Sequence, residues 1–483
     1  MEINSHVVKI IEKLAKNDFE AYAVGGCVRD IFLGRNPKDW DVTTNALPEE
    51  VLKVFPDGKY ENIFGTVLIV FRDEKDEVVD TVEVTTFRSE QGYSDRRHPD
   101  EIKFEKVLDK DLERRDFTIN AMALKITQGS KDYKVVDLFG GQKDLEKRVI
   151  RAVGEPSERF REDALRMMRA IRFSSQLNFK VEEKTERAIV RFAGGLKFIS
   201  NERIRDELVK ILESDRAYEG IMKLHELKLL QYILPELERG IGISQNKHHI
   251  HTVFTHCVLS LKYCPSKDWR VRFAALLHDI AKPQTKRMIN GDATFYNHDL
   301  VGAKITKKIA LRLKMSSEDM EKITTLVKNH MFYYNVDEVT ASSVRRLIVK
   351  VGEENLKDLI DLRIADRLGS GTPKAKPYKL RHLEYMMKKV RHDPVSVKML
   401  KINGDRLMPL LEIKPGPKIG AILDVLLAEV IEDPKLNTIE YLEKRSGELS
   451  KLDLEDLRKK AKSEIEDKKM EDDQELKKEF YVK

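Results

Sequence analysis

The distribution of strand and helix patterns along the chain constrains its fold most. Within residues 1–152, helical spacing of apolar residues alternates with short β-branched runs at residues 67–71 and 78–86. From about Pro156 onward the strand patterns disappear, and amphipathic helical segments follow one another. Strands in one part and helices in another are typical of α+β proteins or of separate domains. The sequence therefore predicts an α+β fold, in which a small mixed sheet with helices precedes a long all-helical region.

A chain of 483 residues exceeds the length of one ordinary domain. Changes in pattern and composition predict a head at 1–152, a helical neck at 153–237 and a helical body domain at 238–370. They also predict a C-terminal helical tail domain at 371–452 and a charged segment, helical or disordered, at 453–483.

The charge of the chain is high but nearly balanced. Lys and Arg number 88 and Asp and Glu number 82, so the formal net charge is only +6. Hydrophobic residues make up 41%, which is enough to build cores and excludes wholesale disorder. A nucleic-acid site, if present, must therefore depend on a local concentration of positive charge.

The cysteines and the N-terminal residues indicate the cellular compartment of the protein. Three cysteines cannot form a disulfide framework and are typical of reduced, cytosolic thiols. Residues 1–14 carry four charges without an uninterrupted apolar core, which argues against a signal peptide. No run approaches the ~18 apolar residues of a membrane span. We expect a soluble, cytoplasmic protein that does not bind membranes.

Two glycines followed by a spaced pair of aspartates form the first motif. Gly25 and Gly26 follow a buried strand pattern and begin a helix, so the backbone can approach an anion closely. Asp39 and Asp41 are two residues apart, which on a strand places both carboxylates on one face. Such a pair can bind Mg²⁺ together with substrate phosphates. Each feature alone also fits a surface turn, but together they favour a metal-dependent phosphate site.

Four motifs in order carry a resemblance to a known family. They are residues 25–30 (GGCVRD), 39–41 (DWD), 114–121 (RRDFTINA) and 162–173 (EDALRMMRAIRF). With these motifs the chain resembles the class II tRNA nucleotidyltransferases, which are the CCA-adding enzymes and bacterial poly(A) polymerases of the DNA polymerase beta superfamily. The resemblance covers most of the chain. It implies a polymerase-beta-like nucleotidyltransferase head and a neck that binds RNA and nucleotide.

The resemblance also implies a role for each matching polar residue. Asp39 and Asp41 would be the catalytic carboxylates that bind Mg²⁺. The implied nucleotide-binding residues come from the other three motifs: Gly25, Gly26, Arg29, Arg115, Asp116, Asn120, Asp163, Arg166, Arg169 and Arg172. For the last two arginines the alternative is a basic helix face paired with neighbouring acids. Glu83 is either a third metal ligand or an exposed strand residue.

Asp163 and Arg166 have a chemistry that suits the implied selection of bases. They are three residues apart on a predicted helix and share one face. A carboxylate accepts and a guanidinium donates, which matches the amino donor beside a ring-nitrogen acceptor in both cytosine and adenine. Uracil and guanine present the reverse order and would leave buried polar groups unpaired. The resemblance assigns this pair to the choice of CTP and ATP without a nucleic-acid template.

A second set of ligand-type residues lies in the helical body. His256, His278, Asp279 and Asp366 occur in the order H…HD…D, with His278 and Asp279 at the end of an apolar helical pattern. The segment resembles the HD-domain metal phosphohydrolases, so 238–370 is predicted to be an HD domain. The four residues would then bind a second divalent metal, with His298 and His330 as further ligands or phosphate contacts. A helical scaffold with a degraded site is the alternative.

Binding of tRNA requires a surface that follows phosphates without reading sequence. Arg203 and Arg205 in the helical region, and Lys414 and Lys418 around a Pro-Gly-Pro turn, are the candidates. Each of them is equally typical of a solvated surface.

The full function follows from these motifs. The chain is predicted to add or repair the 3′-terminal CCA of tRNA from CTP and ATP, releasing pyrophosphate. Residues 88–104 match the family's flexible loop at full length, which argues against addition of cytidines only. Residues 63–67 favour the CCA-adding branch over the poly(A) polymerase branch. The alternatives are an A-adding enzyme, a poly(A) polymerase or, in another class, an HD phosphohydrolase acting on RNA 3′ ends. No obligatory protein partner is inferred.

Overall fold

A computed structural model describes most of the chain. The described residues are 3–62, 65–91, 101–126, 133–245, 250–290, 292–336, 338–392, 400–432, 434–458 and 477–482. They form two compact units: Met1–His330 with Asp361–Pro373, and Met331–Ile360 with Lys374–Lys483. The five segments given above and their boundaries remain predictions.

Nine strands lie within the described residues between 21 and 137. They are β1 (Ala21–Val24), β2 (Asp41–Thr44), β3 (Lys59–Asn62), β4 (Thr66–Arg72), β5 (Val78–Thr86), β6 (Arg88–Gln91), β7 (Glu101–Phe104), β8 (Met122–Ile126) and β9 (Tyr133–Asp137). Seven of them form a mixed sheet in the order β3-β4-β5-β2-β1-β8-β9. Strand β2 pairs antiparallel with β1 and parallel with β5, so it lies near the middle of the sheet.

Helices cover the sheet and the turns that leave it. In the head they are α1 (Ser5–Ala15), α2 (Gly26–Phe32), α3 (Pro48–Val54), α4 (Leu108–Glu113) and α5 (Gly141–Lys147). Apolar side chains of the central strands, such as Val42, Val82 and Val84, are fully buried, which explains the β-branched runs in the sequence. The predicted α+β head is confirmed.

Residues 88–104 are expected to form a flexible loop, and that interpretation is wrong at the two ends of the segment. Strands β6 and β7 pair antiparallel, with Arg88 opposite Phe104 and Gln91 opposite Glu101. Residues 92–100, the centre of the matched flexible loop, lie outside the described residues, as do residues 63 and 64. Strand β6 (RSEQ) is wholly polar, and the alternation in β7 (EIKF) covers only four residues, so neither gives a clear strand pattern in the sequence.

The remainder of the first unit is helical. Its helices are α6 (Pro156–Glu162), α7 (Leu165–Leu177), α8 (Glu183–Phe192), α9 (Asn201–Glu213), α10 (Ala217–Glu226), α11 (Leu230–Ile233), α12 (Pro235–Glu238), α13 (Val253–Lys262), α14 (Trp269–Leu277), α15 (Lys282–Thr285), α16 (His298–Arg312) and α17 (Ser317–Asn329). Two short strand pairs interrupt this pattern, β10 (Val149–Ile150) with β11 (Lys180–Val181) and β12 (Arg287–Ile289) with β13 (Asp292–Thr294). The expectation that strands end before about Pro156 is therefore wrong for β11, β12 and β13, which are segments of two or three residues, whereas β10 precedes Pro156.

The second unit has its own apolar core. Its helices are α18 (Ala341–Val351), α20 (Tyr378–His392), α21 (Gly404–Leu411), α22 (Pro417–Glu432) and α23 (Ile439–Leu449), while α19 (Leu356–Gly369) runs from this unit into the first. Buried side chains of α21 to α23, including Leu407, Ile422, Leu426 and Leu442, pack together. Much of the predicted charged tail, residues 459–476, lies outside the described residues. Among the described helices, none has the length and apolarity needed to cross a membrane.

Candidate active site and a second ligand cluster

A polar cavity of about 800 Å³ lies in the first unit, between the sheet edge and helices α7 and α9. All twelve residues that the sequence assigned to catalysis and nucleotide binding line it: Asp39, Asp41, Gly25, Gly26, Arg29, Arg115, Asp116, Asn120, Asp163, Arg166, Arg169 and Arg172. The structure adds Arg203, Lys38, Arg114, Gln176 and Lys210 to the lining. Residues separated by up to 185 positions in the sequence thus meet in one cavity with many cationic groups.

Asp41 and Asp39 lie at the edge of the sheet where β2 begins. Asp41 begins β2, whereas exposed Asp39 lies in the bend just before it, so the expectation that both are on a strand holds only for Asp41. Glu83 on β5 is the direct neighbour of Asp41 in the register. Burial raises the pKa of Asp41, opposed by Arg115 and reinforced by the charge of Asp39. Burial and the charge of Asp41 likewise raise the pKa of Glu83, so these carboxylates repel one another and favour a bound cation.

Gly25 makes the approach to these carboxylates possible. Its φ is +85°, a region that glycine adopts at little cost. A Cβ atom at this position would lie 3.0 Å from Nη1 of Arg115 and 3.6 Å from Oδ2 of Asp41. The turn between β1 and α2 therefore requires glycine both for its conformation and for its proximity to the charged groups.

The expectation that Asp163 and Arg166 share one helix face is wrong, because Asp163 lies in extended backbone between α6 and α7 and only Arg166 lies on α7. Each of the two residues is held by a different partner. Nη2 of Arg203 donates to Oδ2 of Asp163 at 2.6 Å, and the amide of Leu165 donates to Oδ1 at 3.0 Å. Nη1 of Arg166 donates to Glu162 at 2.6 Å, and its Nη2 donates to the carbonyl of Arg114 at 2.9 Å. These contacts fix both side chains and leave further lone pairs on Asp163 and further N–H groups on Arg166.

Asp116 connects the head to helix α7. Its Oδ2 accepts from Nε of Arg169 at 2.7 Å, and its Oδ1 accepts from the side chain of Asn120. Asn120 in turn accepts from Nη1 of Arg29 at 2.9 Å. Burial alone would raise the pKa of Asp116, but Arg169 and Arg166 lower it to about 2. The carboxylate therefore stays ionised and fixes Arg169 and, through Asn120, Arg29.

Arg172 is bound inside the neck. Its Nη1 donates to Oε1 of Glu207 at 2.8 Å, and both side chains are buried. Burial and the nearby Arg169 lower the pKa of Arg172 to about 10, against the opposing charge of Glu207. The guanidinium also stacks 4.2 Å from the centre of the Phe173 ring. Arg172 thus supports the wall of the cavity as well as lining it.

A second cluster lies in the helical body. His256 from α13, His278 and Asp279 after α14, and Asp366 from α19 converge with nearly complete burial. Nε2 of His256 lies 3.0 Å from Nε2 of His278, 3.1 Å from Oδ2 of Asp279 and 3.4 Å from Oδ1 of Asp366. The donor atoms of His256, His278 and Asp366 are close enough together to hold one metal ion. The four residues assigned from the H…HD…D order therefore meet in space.

His298 and His330 lie on the other side of Asp279. Their Nε2 atoms are 3.3 Å and 3.7 Å from Oδ1 of Asp279, and the three donor atoms form another group that could hold a metal ion. Nζ of Lys282 lies 2.5 Å from Oδ2 of Asp279 and donates to Gln245 at 2.6 Å. Asp279 is therefore in contact with four imidazoles and one ammonium group.

Several residues that hold the functional side chains were missed from the sequence. Buried Asp111 binds Arg114 at 2.6 Å and Arg115 at 3.1 Å, which orients both toward the cavity. Its spacing of three and four residues from these arginines on α4 was a usable signal. Glu162 likewise lies four residues before Arg166, which it binds. The ion pair between Arg172 and Glu207 joins two helices, so no local spacing in the sequence indicates it.

The four residues assigned to RNA binding are dispersed. Arg203 lines the cavity through its ion pair with Asp163, whereas Arg205 is partly exposed beside Asp206 and donates to the carbonyl of Lys314. Lys414 is exposed and Lys418 partly exposed in the second unit. Their contact with RNA remains a prediction.

Three family models match successive parts of the chain. A family model described as the poly A polymerase head domain matches residues 21–151. A model described as the probable RNA- and SrmB-binding site of polymerase A matches 178–241, and the HD domain model matches 248–371. The mixed sheet, the carboxylates at its rim and the arginine-lined cavity thus define a nucleotidyltransferase of the polymerase type joined to an HD domain.

The similarity to individual proteins identifies the family of this chain. A CCA-adding enzyme of Enterococcus faecalis is 33% identical over 434 residues, which cover 90% of this chain and 93% of that protein. An A-adding tRNA nucleotidyltransferase of Deinococcus radiodurans is 38% identical over 336 residues, or 66% of this chain and 74% of that protein. The chain belongs to the tRNA nucleotidyltransferase family, and the predicted family and enzyme class are confirmed.

A solved structure shows the same fold. The crystal structure of the Bacillus stearothermophilus CCA-adding enzyme in complex with CTP matches with a TM-score of 0.60 and 26% identity, covering 93% of this chain and 98% of that one. CCA-adding nucleotidyltransferases depend on a divalent metal, and this chain has candidate groups for one.

Proposed function

We propose that this protein adds or repairs the 3′-terminal CCA of tRNA, using CTP and ATP and releasing pyrophosphate without a nucleic-acid template. The observation that carries the proposal is the single cavity in which the carboxylates, the phosphate-binding arginines and the pair Asp163–Arg166 meet. The full-length similarity to a CCA-adding enzyme supports the same activity. Buried, unbridged cysteines suit the cytoplasm, where tRNA is processed.

Asp39 and Asp41 are proposed to hold Mg²⁺, with Glu83 as a third ligand. The raised pKa values of Asp41 and Glu83 and their oxygen donors fit a hard divalent cation. A cation held by these residues would supply activation of the primer 3′-hydroxyl and neutralisation of the charge that develops on the α-phosphate. Arg115, which is held by Asp111, is proposed to orient the triphosphate so that pyrophosphate can leave.

Selection of the base is proposed to depend on how Asp163 and Arg166 are held. Arg203 holds Asp163 in its orientation, so the remaining lone pairs of Asp163 can accept from the amino group of cytosine or adenine. Glu162 and the Arg114 carbonyl hold Arg166, so its other N–H groups can donate to the adjacent ring nitrogen. Uracil and guanine would place an acceptor against Asp163 and a donor against Arg166, which leaves both unpaired.

Addition of A alone is the alternative within the family, because one of the relatives is an A-adding enzyme. The two activities differ in the primer that each accepts.

Purified protein is given tRNA that ends before CCA, after the first C or after CC, with labelled CTP or ATP. Incorporation of CTP on the first two primers and of ATP on the third supports CCA addition. Use of ATP on the CC-ended tRNA alone identifies an A-adding enzyme, and long A tracts identify a poly(A) polymerase.

A second activity is proposed for the HD cluster. The convergence of His256, His278, Asp279 and Asp366 favours a bound divalent metal and hydrolysis of a phosphate ester at an RNA 3′ end. For a 2′,3′-cyclic phosphate, water forms one new P–O bond, one ribose O–P bond breaks, and the water proton passes to the released ribose oxygen. Hydrolysis of this substrate that survives the double substitution His278→Ala with Asp279→Ala would exclude the cluster as its source.

A further inference from the structure

A second, smaller cavity adjoins the carboxylates of the head. Its volume is about 200 Å³, whereas the cavity described above has about 800 Å³. Three residues line both cavities, and the residues that line only the smaller one belong to strands β4, β5 and β6. The shared residues are Asp41, Arg114 and Arg115, and the others used below are Thr66, Glu83, Thr85 and Arg88.

The order of the strands places the two cavities on different sides of Asp41. In the sheet, β2 lies between β1 and β5, and β4 follows β5. The first cavity includes Gly25 and Gly26, which follow β1, whereas the second includes residues of β5 and β4. Asp41 begins β2 and borders both cavities. A group bound in one cavity therefore meets a group bound in the other next to the carboxylate of Asp41.

The sheet presents a polar face to the second cavity. Glu83 pairs with Asp41 in the register, and Thr85 lies two residues further along β5, so all three share one face. Thr85 pairs with Thr66 of β4, and their hydroxyl oxygens are 3.2 Å apart. Val84 lies between Glu83 and Thr85 on the opposite face and is fully buried. The two hydroxyl groups therefore continue the row of carboxylates across three strands.

The lining of the second cavity can bind both an anion and a hydroxyl group. Arg88, Arg114 and Arg115 contribute guanidinium groups, whose planar arrangement of donors matches a phosphate. The hydrogen bond between Thr66 and Thr85 uses one hydroxyl hydrogen and leaves the other, together with free lone pairs. A ribose 2′-hydroxyl donates as well as accepts, so it matches this pair. The lining therefore suits a ribose phosphate.

The direction of the transfer reaction favours the same ligand. The first cavity contains the base-selecting pair and Arg115, which account for the incoming nucleotide and its triphosphate. In phosphoryl transfer the attacking and leaving oxygens lie roughly in line on opposite sides of the phosphorus. With pyrophosphate leaving from the first cavity, the attacking 3′-hydroxyl has to approach from the opposite side. The second cavity lies across Asp41 from the nucleotide, where that hydroxyl would enter.

We propose that the second cavity binds the terminal ribose and phosphate of the RNA strand that is extended. Arg88 binds the phosphodiester, and Thr66 with Thr85 binds the 2′-hydroxyl of the terminal ribose, which selects an RNA end over a DNA end. The small volume suits one sugar and its phosphate better than a second nucleoside triphosphate. This inference rests on the nucleotide transfer proposed above and adds the residues that recognise the end of the strand.

Steady-state kinetics with ATP and a tRNA that ends in CC tests the phosphate contact. Arg88→Met is expected to raise the KM for tRNA about tenfold and to leave the KM for ATP within about twofold of the parent value. The salt dependence of tRNA binding should lose about one unit of its logarithmic slope, as expected for one lost phosphate contact. Arg72→Met is the matched control, because Arg72 lies on β4, donates to the carbonyl of Asp76 and lines neither cavity.

A tRNA whose last nucleotide is 2′-deoxy tests the hydroxyl pair. The parent protein is expected to use this tRNA with a kcat/KM about tenfold lower than for the ribose-ended tRNA. Thr66→Val and Thr85→Val should each remove most of this difference, whereas Thr66→Ser retains the hydroxyl and should preserve it. Thr81→Val is the control, because Thr81 is exposed on β5 outside the cavity. Circular dichroism and an unchanged KM for ATP verify folding.

The outcomes separate this inference from the proposal on which it rests. A parent protein that transfers nucleotide to none of the tRNAs would overturn both. Transfer by the parent with an unchanged KM for tRNA in Arg88→Met would overturn only the phosphate contact proposed here. If that variant instead raises the KM for pyrophosphate in the reverse reaction, the cavity belongs to the leaving group and the inference is wrong. Equal use of the two tRNAs by the parent would overturn recognition of the 2′-hydroxyl, and this comparison decides even if a variant fails to fold.

Discussion

The head cavity and the HD cluster surround their aspartates with different groups. In the head, exposed Asp39 and partly buried Asp41 offer oxygen ligands only and face a cavity with many arginines. In the HD cluster, His256 and His278 are fully buried, and imidazoles outnumber carboxylates. An incomplete oxygen set suits a cation that arrives with a nucleotide, whereas a nearly complete nitrogen and oxygen set suits a resident metal. The comparison predicts two centres that operate independently.

The largest expected effect comes from removing the head carboxylate. Asp41→Ala should reduce nucleotide transfer by about 10³-fold or more, because the charge that develops in the transition state loses its stabilisation. Hydrolysis of a 2′,3′-cyclic phosphate should remain unchanged. Both rates are measured on one preparation, and exposed Asp57→Ala serves as the control. Equal loss of both activities would contradict the independence of the two centres.

The reverse experiment removes the HD ligands. His278→Ala with Asp279→Ala should abolish cyclic phosphate hydrolysis and metal retention while CCA addition continues within about twofold, since neither residue lines the head cavity. The substitution leaves His298 and His330 without their shared carboxylate, so thermal melting is recorded alongside both activities. A large loss of CCA addition in a folded variant would refute the separation of functions.

A smaller and more selective effect is expected at Arg203. Arg203→Met removes the guanidinium that binds the Asp163 carboxylate. Discrimination against UTP and GTP should therefore fall by about 10²-fold, with a higher KM for CTP and ATP. Arg205→Met is the matched control, because Arg205 is two residues along the same helix and binds Asp206 instead. Steady-state kinetics with each of the four nucleotides measures the effect. Unchanged discrimination in Arg203→Met would show that the ion pair does not orient Asp163.

The smallest expected effect concerns the helix that delivers His278 and Asp279. Asp268 accepts from the amide of Arg270 at the start of α14 and binds Lys322 at 2.9 Å. Although burial opposes it, hydrogen bonds from Arg270 and Lys322 lower the pKa of Asp268 to about 2. A lowered pKa contributes stability above the ordinary value near 3.8, and this contribution is lost as the pH falls through about 2.

The corresponding variant is Asp268→Asn, which keeps the helix cap and removes the charge. It should lower the free energy of unfolding by about 1 kcal/mol at pH 7, with the value reduced for partial solvent exposure. The difference from the parent protein should narrow as the pH is lowered from about 4 to about 2. Thermal melting at a series of pH values measures it. A difference that is constant over this range would show that the ionised form makes no contribution.

Much of the candidate site was predictable because its residues lie in local patterns. Gly25, the aspartate pair and the motif around Asp163 each have a fixed short spacing in the sequence, although Asp39 precedes β2 and Asp163 precedes α7. The sequence could not indicate that Arg203 binds Asp163, because the two residues are 40 positions apart on different elements. The sequence also grouped Asp279 with only three other ligands. Its two carboxylate oxygens face different histidines, and this is visible only in the three-dimensional structure.

Strand prediction failed for a related reason. The central strands are buried on the sheet and show β-branched runs, but β6 and β7 are four-residue segments with mostly polar side chains. Their pairing depends on the partner strand rather than on their own composition.

The most direct test of the central claim is the identity of the nucleotides that the protein adds in free competition. A tRNA that ends before CCA is incubated with the protein and equal concentrations of ATP, CTP, GTP and UTP, and the new 3′ ends are sequenced. The account predicts that C, C and A are added in that order and that addition then stops. Ends that contain U or G, or that continue as a homopolymer, would contradict selection by Asp163 and Arg166.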